Sequence, residues 1–146
     1  WNKSFVHVTD FMPTVLELAD VTYPKEYKGN EIHPYIGRSI MPVLKGDSAT
    51  MSDTEGHGWE LFEMKAYIKG NWKLLRLPQP MGSGKWELYD IEKDPAETTD
   101  LSAQYPEIKE QLTKAWNEYA IKNQVHDHNG HLDSLYRKSY MPKEKE

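Results

Sequence analysis

The chain has 146 residues, of which 38% are hydrophobic and 28% charged, within the range of a globular domain. A formal net charge of -5 offers no basic footprint for a nucleic-acid backbone, and no run approaches the roughly 18 apolar residues that would span a bilayer. The absence of Cys excludes disulfides, thiolate metal sites and a Cys nucleophile, and it leaves the redox compartment open.

Mean hydropathy is low, at -0.81, so five Trp and nine Tyr must supply much of the buried area. The chain begins at Trp1 and shows no signal-peptide pattern, from which a missing upstream segment is expected. Residues Val6 to Asp20 read as a helix with Asp10 as N-cap and Pro13 in the first turn. Its apolar stripe is Val15, Leu16, Leu18 and Ala19. Tyr23 to Gly37 contains Pro24, Gly29 and Pro34 and reads as an irregular loop. Ser39 to Lys45 reads as a short helix with a Ser N-cap, Pro42 in its first turn and Gly46 as its stop. Asp47 to Gly58 is polar and small, a linker.

From Trp59 the period changes to two. Phe62, Met64, Ala66 and Ile68 alternate with Glu63, Lys65 and Tyr67, which predicts one half-buried strand with its apolar set on one side. Lys69-Gly70-Asn71 is a turn signal, and Trp72 to Leu77 a second strand. A Pro- and Gly-rich loop follows, from Pro78 to Gly84. Lys85 to Ile91 is then a third strand, with Trp86 and Leu88 alternating against Glu87 and Tyr89. Pro106 opens a long helix whose Ile108, Leu112, Ala115, Trp116 and Tyr119 share the face expected to lie across the sheet. Glu110 with Lys114 and Glu118 with Lys122 are favourably oriented i,i+4 pairs. A polar tail occupies residues 126–146.

The chain offers few groups for chemistry. It has no G-x-S-x-G elbow, H-E-x-x-H, Walker A or G-x-G-x-x-G sequence. Gly82-Ser83-Gly84 lacks the helix that a phosphate cradle needs after it. Asp90, Asp94, Glu97 and Asp100 fail the calcium-loop spacing, and Asp94-Pro95 instead predicts a turn whose side-chain oxygens serve backbone amides. His126, His128 and His131 with Asp127 and Asp133 are metal-ligand types, read as a polar tail without a rigid element to fix a site. His7 and His33 are isolated. His57 and Trp59 lie where the linker enters the first strand, a place from which a loop reaches a neighbouring cleft. An imidazole and an indole there can contact an aryl group or an anion, or pack a domain interface.

Five motifs together resemble the C-terminal end of the sulfatases, within the alkaline-phosphatase superfamily. Thr9-Asp10-Phe11-Met12-Pro13-Thr14-Val15-Leu16-Glu17-Leu18-Ala19 is similar to the family's "TD-x-x-PT-x-LELA" helix. Gly37-Arg38-Ser39-Ile40 with Pro42, Leu44 and Gly46 is similar to the segment after it. Ile68-Lys69-Gly70-Asn71-Trp72-Lys73-Leu74 resembles the "R-x-G-x-WK-L" hairpin. Glu87-Leu88-Tyr89-Asp90-Ile91 with Asp94-Pro95-Ala96-Glu97 and Asp100-Leu101 resembles "ELYDL-x-x-DP-x-E-x-x-NL", with Asp100 where the family has Asn. Pro106-Glu107 and the Trp116/Tyr119 helix resemble the last helix. Gly58-Trp59-Glu60-Leu61-Phe62 is closest to bacterial arylsulfatases.

The resemblance implies an α+β fold. An antiparallel sheet of about three to four strands is packed by a long C-terminal helix and preceded by helices left over from a larger α/β catalytic domain. Residues 1–55 would end that domain, residues 56–125 would form the small subdomain, and residues 126–146 the tail. It implies an arylsulfatase-type sulfuric ester hydrolase as parent, using calcium and a formylglycine made within C/S-x-P-x-R. That motif is absent here, so no catalytic or metal residue is carried over, no cofactor is expected on this chain, and His57 and Trp59 are expected at the rim of the substrate pocket. The expected partners are the N-terminal catalytic domain and, in the parent, a sulfate ester, with no nucleic acid and no membrane. In the fragment alone the residue 10–20 helix is expected to expose an apolar patch of Val15, Leu16 and Leu18, relieved by self-association or by disorder. The compartment is not fixed, bacterial members being periplasmic or cytoplasmic. Two rivals stay open: a phosphonate or phosphate-ester hydrolase of the same superfamily, and a detached binding module with Trp59, Trp72 and Trp86 as a stacking platform.

Overall fold

A computed structural model describes residue 2, residues 4–47 and residues 56–126. The chain divides into two compact units, Trp1–Asp53 and Thr54–Glu146. The tail histidines His128 and His131, with Asp127 and Asp133, lie outside the described residues, as does most of the expected linker.

In the first unit a 3-10 turn at Val8–Asp10 runs into α1, Phe11–Leu18. This is shorter than the helix expected from Val6 to Asp20. Asp10 stands at the N-cap position, but its carboxylate does not cap α1. It accepts instead from the His7 N–H at 2.9 Å and the Arg38 N–H at 2.9 Å. The loop after α1 contains a minimal hairpin, β1 (Glu26–Tyr27) against β2 (Asn30–Glu31). Lys28 and Gly29 carry the two positive φ angles of its turn. The second helix, α2, is a single turn, Met41–Leu44. Its N-cap residue is Ile40, and the Ser39 hydroxyl accepts from the Met41 N–H.

Side-chain directions in α1 follow from these bonds. Pro13 and Thr14 are buried and Leu16 half-buried, whereas Phe11, Met12, Val15 and Leu18 are exposed. The Thr14 hydroxyl donates to the Asp10 carbonyl and accepts from the Ile40 N–H, 26 residues away. Polar groups therefore hold the inner side of the helix. Gly37 passes so close to the Thr9 carbonyl that a Cβ there would sit 2.0 Å from its oxygen.

The second unit is a four-stranded antiparallel meander in the order β3-β4-β5-β6, with α3 (Pro106–Lys122) across one face. The strands are β3 (His57–Leu61), β4 (Met64–Lys69), β5 (Trp72–Arg76) and β6 (Glu87–Asp90). The single strand expected from Trp59 to Ile68 is two strands. Phe62 and Glu63 form the turn between them, with φ of 52° and 67°. Both residues occupy the left-handed region that a two-residue hairpin of this type requires, where Asn-Gly is the usual choice. The β4–β5 turn was legible because Gly70 supplies its positive φ.

Register fixes the faces. Tyr67 pairs with Leu74 and Leu74 with Leu88, so these three point to the same side. With Leu112 and Trp116 of α3 they form the core, edged by Trp72, Trp86, Ile108, Ala115 and Tyr119. The buried side of β4 is therefore Lys65 and Tyr67, and not the apolar set of Met64, Ala66 and Ile68. Those three lie on the other face with Trp59 and Leu75, where they are half-buried.

Candidate functional site

His57 and Trp59 are neighbours on one face of β3, the edge strand, and are not in a loop. Their ring centroids are 6.4 Å apart and tilted by 44°. His57 pairs across the sheet with Ile68 and Trp59 with Ala66, so both rings stand on the face away from α3. Gly58, between them, points to the helix side. A Cβ at Gly58 would lie 2.5 Å from the Tyr119 ring, so the missing side chain lets α3 approach the edge strand. Burial raises the Tyr119 pKa, and the Glu60 carboxylate adds to the shift.

Next to this pair the helix-side register places Glu60, Lys65 and Arg76 in one cross-strand row. Lys65 is 6% exposed, and the Arg76 Nε donates to the Gly84 carbonyl at 3.0 Å. Alternation alone assigned Lys65 to a solvent face, because it cannot say which side of a two-faced sheet the helix takes.

The acidic run after β6 is occupied with backbone. The Asp100 carboxylate accepts from the Leu88 N–H at 3.0 Å and the Ser102 N–H at 2.8 Å, while Leu101 N–H donates to Leu88 C=O. These bonds close the free edge of β6. Asp94 accepts from the Thr98 and Thr99 amides. Asp90 accepts from Asn71 Nδ2 and Lys93 N–H and pairs with Lys93 Nζ at 3.0 Å. Hydrogen bonds from Asn71 and Lys93 hold Asp90 below the usual carboxylate range. At Asp94 and Asp100 burial pushes the other way, and the amide hydrogen bonds outweigh it, so both are also lowered. Glu97 pairs with Lys73. Tyr89 is driven up by burial and by the Glu87 carboxylate that its hydroxyl bonds.

Among the described residues no three His, Asp or Glu side chains converge to hold a metal ion. Ser83 of the glycine-flanked loop binds Glu87 and the Lys85 N–H, so its hydroxyl is committed locally. His7 caps the 3-10 turn through Nδ1, and the His33 carbonyl accepts from Tyr23. His126 is exposed beyond α3. The three-Trp platform does not assemble: Trp72 meets Tyr105 at 5.1 Å and Trp86 meets Trp116 at 5.8 Å, both tilted, on the helix side, opposite to Trp59. The interactions that sequence pattern missed are those of Asp10 with the Arg38 N–H and of Thr14 with the Ile40 N–H, across 28 and 26 residues that no local spacing relates.

Residues 1–124 match the family described as N-sulphoglucosamine sulphohydrolase, C-terminal. An uncharacterised sulfatase of Schizosaccharomyces pombe is 34% identical over 125 residues, 85% of this chain and 23% of that protein. Among solved structures, a protein in complex with its substrate D-glucosamine-2-N,6-O-disulfate aligns with a TM-score of 0.58 at 22% identity, over 84% of this chain and 25% of the other. A putative sulfatase from Bacteroides thetaiotaomicron gives a TM-score of 0.57 at 21% identity, over 79% and 24%. The chain thus spans about a quarter of the length of these relatives.

Proposed function

Because the chain belongs to the sulfatase C-terminal family, we propose that it serves as the C-terminal part of an arylsulfatase-type sulfuric ester hydrolase and carries none of the reacting groups itself. The observation that carries this reading is the family match across residues 1–124 in a chain that spans only a quarter of its relatives. In this reading residues 1–55 finish the α/β catalytic domain, residues 56–125 are the small subdomain, and residues 126–146 form a tail. The partner is the N-terminal catalytic portion, and the substrate of the whole enzyme is a sulfate ester.

His57 and Trp59 rim the substrate pocket in this proposal. Their support is geometric: two rings side by side on one face of an edge strand, their centroids 6.4 Å apart. An indole can stack on an aryl or sugar ring, and an imidazole can approach a sulfate oxygen. The acidic run of Asp90, Asp94, Glu97 and Asp100 is occupied with backbone amides and with Lys73 and Lys93. In this reading calcium and formylglycine belong to the catalytic portion, where metal and cations would neutralise charge on the sulfuryl oxygens.

Peptide mapping of the protein isolated from its native source tests the proposal. Sequence upstream of Trp1 and a formylglycine peptide within C/S-x-P-x-R are expected. A native polypeptide that begins near Trp1, or an upstream region with a different nucleophile, would sink it.

A further inference from the structure

Six asparagines occur in the sequence, and one of them stands in the pattern Asn-x-Ser/Thr, as Asn2-Lys3-Ser4. The other five, Asn30, Asn71, Asn117, Asn123 and Asn129, are followed two residues later by Ile, Lys, Tyr, Val and His. A pattern this short also arises by chance, so the geometry of Asn2 has to carry the argument. Asn2 is exposed and lies in neither helix nor strand. Its Oδ1 accepts from the Ser4 N–H at 2.8 Å, which closes an Asx turn. A backbone N–H can only donate, so this bond fixes which end of the amide is oxygen. Among the described residues Nδ2 donates to nothing. At Asn30, Asn71 and Asn123 the amide is used the other way round: Nδ2 donates to the Lys28 carbonyl, the Asp90 carboxylate and the Tyr119 carbonyl. Asn2 therefore joins exposure, an irregular backbone and an uncommitted amide nitrogen to a hydroxyl residue two positions on.

We infer that Asn2 is the acceptor of an N-linked oligosaccharide. The donor class is an oligosaccharide held through its anomeric carbon on a lipid diphosphate. In the transfer Nδ2 attacks that carbon. The nitrogen–carbon bond forms, the carbon–oxygen bond to the diphosphate breaks, and the lipid diphosphate leaves with the bonding electron pair. One Nδ2 proton passes to a base of the transferase, and nothing is oxidised or reduced. The Asx turn engages the amide oxygen and leaves the nitrogen for the donor. Lys3 meets the one exclusion of the pattern, which is Pro at the middle position. The inference is independent of the reading under Proposed function, and it bears on a property that composition leaves open, because such a modification marks a surface loop of a secreted protein.

Peptide mapping of the full-length protein from its native source tests it, with digests made in heavy-oxygen water in the presence and absence of peptide N-glycosidase. Without the glycosidase the peptide containing Asn2 should carry the added mass of hexose and N-acetylhexosamine. With it, Asn2 should be recovered as Asp bearing one heavy oxygen, while Asn30, Asn71, Asn117 and Asn123 remain Asn. Made in the same host, Ser4→Ala should lose the glycan and Ser4→Thr should keep it. Both variants retain the backbone N–H that closes the turn, so the loss traces to the hydroxyl. An Asn2 peptide of unmodified mass in the native protein would overturn the inference. Glycan mass that persists in Ser4→Ala would do the same, as would heavy oxygen taken up equally without the glycosidase, the mark of spontaneous deamidation.

Discussion

The Asp10 carboxylate and the Arg38 backbone N–H meet at 2.9 Å across 28 residues of chain. This bond, with the Thr14 hydroxyl on the Ile40 N–H at 3.0 Å, fastens α1 to the segment that leads into α2. The roles of Asp10 and Thr14 are thus structural: they satisfy part-buried backbone donors that helix and strand do not.

Asp10→Ala leaves the His7 and Arg38 amides without their acceptor. Each orphaned donor costs about 1–3 kcal/mol, so the 8–40 region should lose about 3 kcal/mol of local stability. Hydrogen exchange at the Arg38 and Ile40 amides reads this directly. An unchanged exchange rate would mean that Asp10 is not the fastener.

Gly58→Ala should push Tyr119 off β3. The new Cβ would fall 2.5 Å from the ring, so the second unit should lose about 1–3 kcal/mol. The loss should shrink when Tyr119→Leu is made in the same molecule, a coupling that separates the ring clash from a general effect on the strand. Urea melts followed by Trp fluorescence give both numbers.

Glu63→Gly should stabilise the second unit. Glu63 holds a φ of 67° in the β3–β4 turn, a conformation that costs an L-residue about 1–2 kcal/mol and glycine little. A gain of about 1 kcal/mol would raise Tm by about 4–8 °C in a unit of this size. No rise, or a fall, would show that the side chain makes up for the backbone.

Acid should weaken the second unit in a narrow window. Asp90, Asp94 and Asp100 have folded pKa values below the ordinary carboxylate value. Their contribution is therefore complete above the unfolded value of about 3.9 and is lost as pH falls through the lower folded values. Urea midpoints should be flat from neutral pH to about 4 and then drop. Asp100→Asn should be less stable at neutral pH and show a shallower drop.

Particular residues show where sequence sufficed. Alternation of Trp86 and Leu88 against Glu87 and Tyr89, and the 3.6-residue spacing of Leu112, Trp116 and Tyr119, determined β6, α3 and the packing of that helix across the sheet, because periodicity encodes a buried face wherever one side is covered. Gly70 marked its turn, since a single glycine supplies the positive φ. The Asp94 and Asp100 turns were likewise legible from local side-chain chemistry. The tertiary structure alone decided the rest. Phe62 and Glu63 carry no turn signature, and their left-handed conformation is imposed by the pairing of β3 with β4. Apolar residues stand on both faces of the sheet, so alternation could not say that α3 takes Lys65 and Tyr67. It follows that His57 and Trp59 were recognisable as a candidate pair by type, but their shared face was settled by register, a long-range property that no local spacing contains.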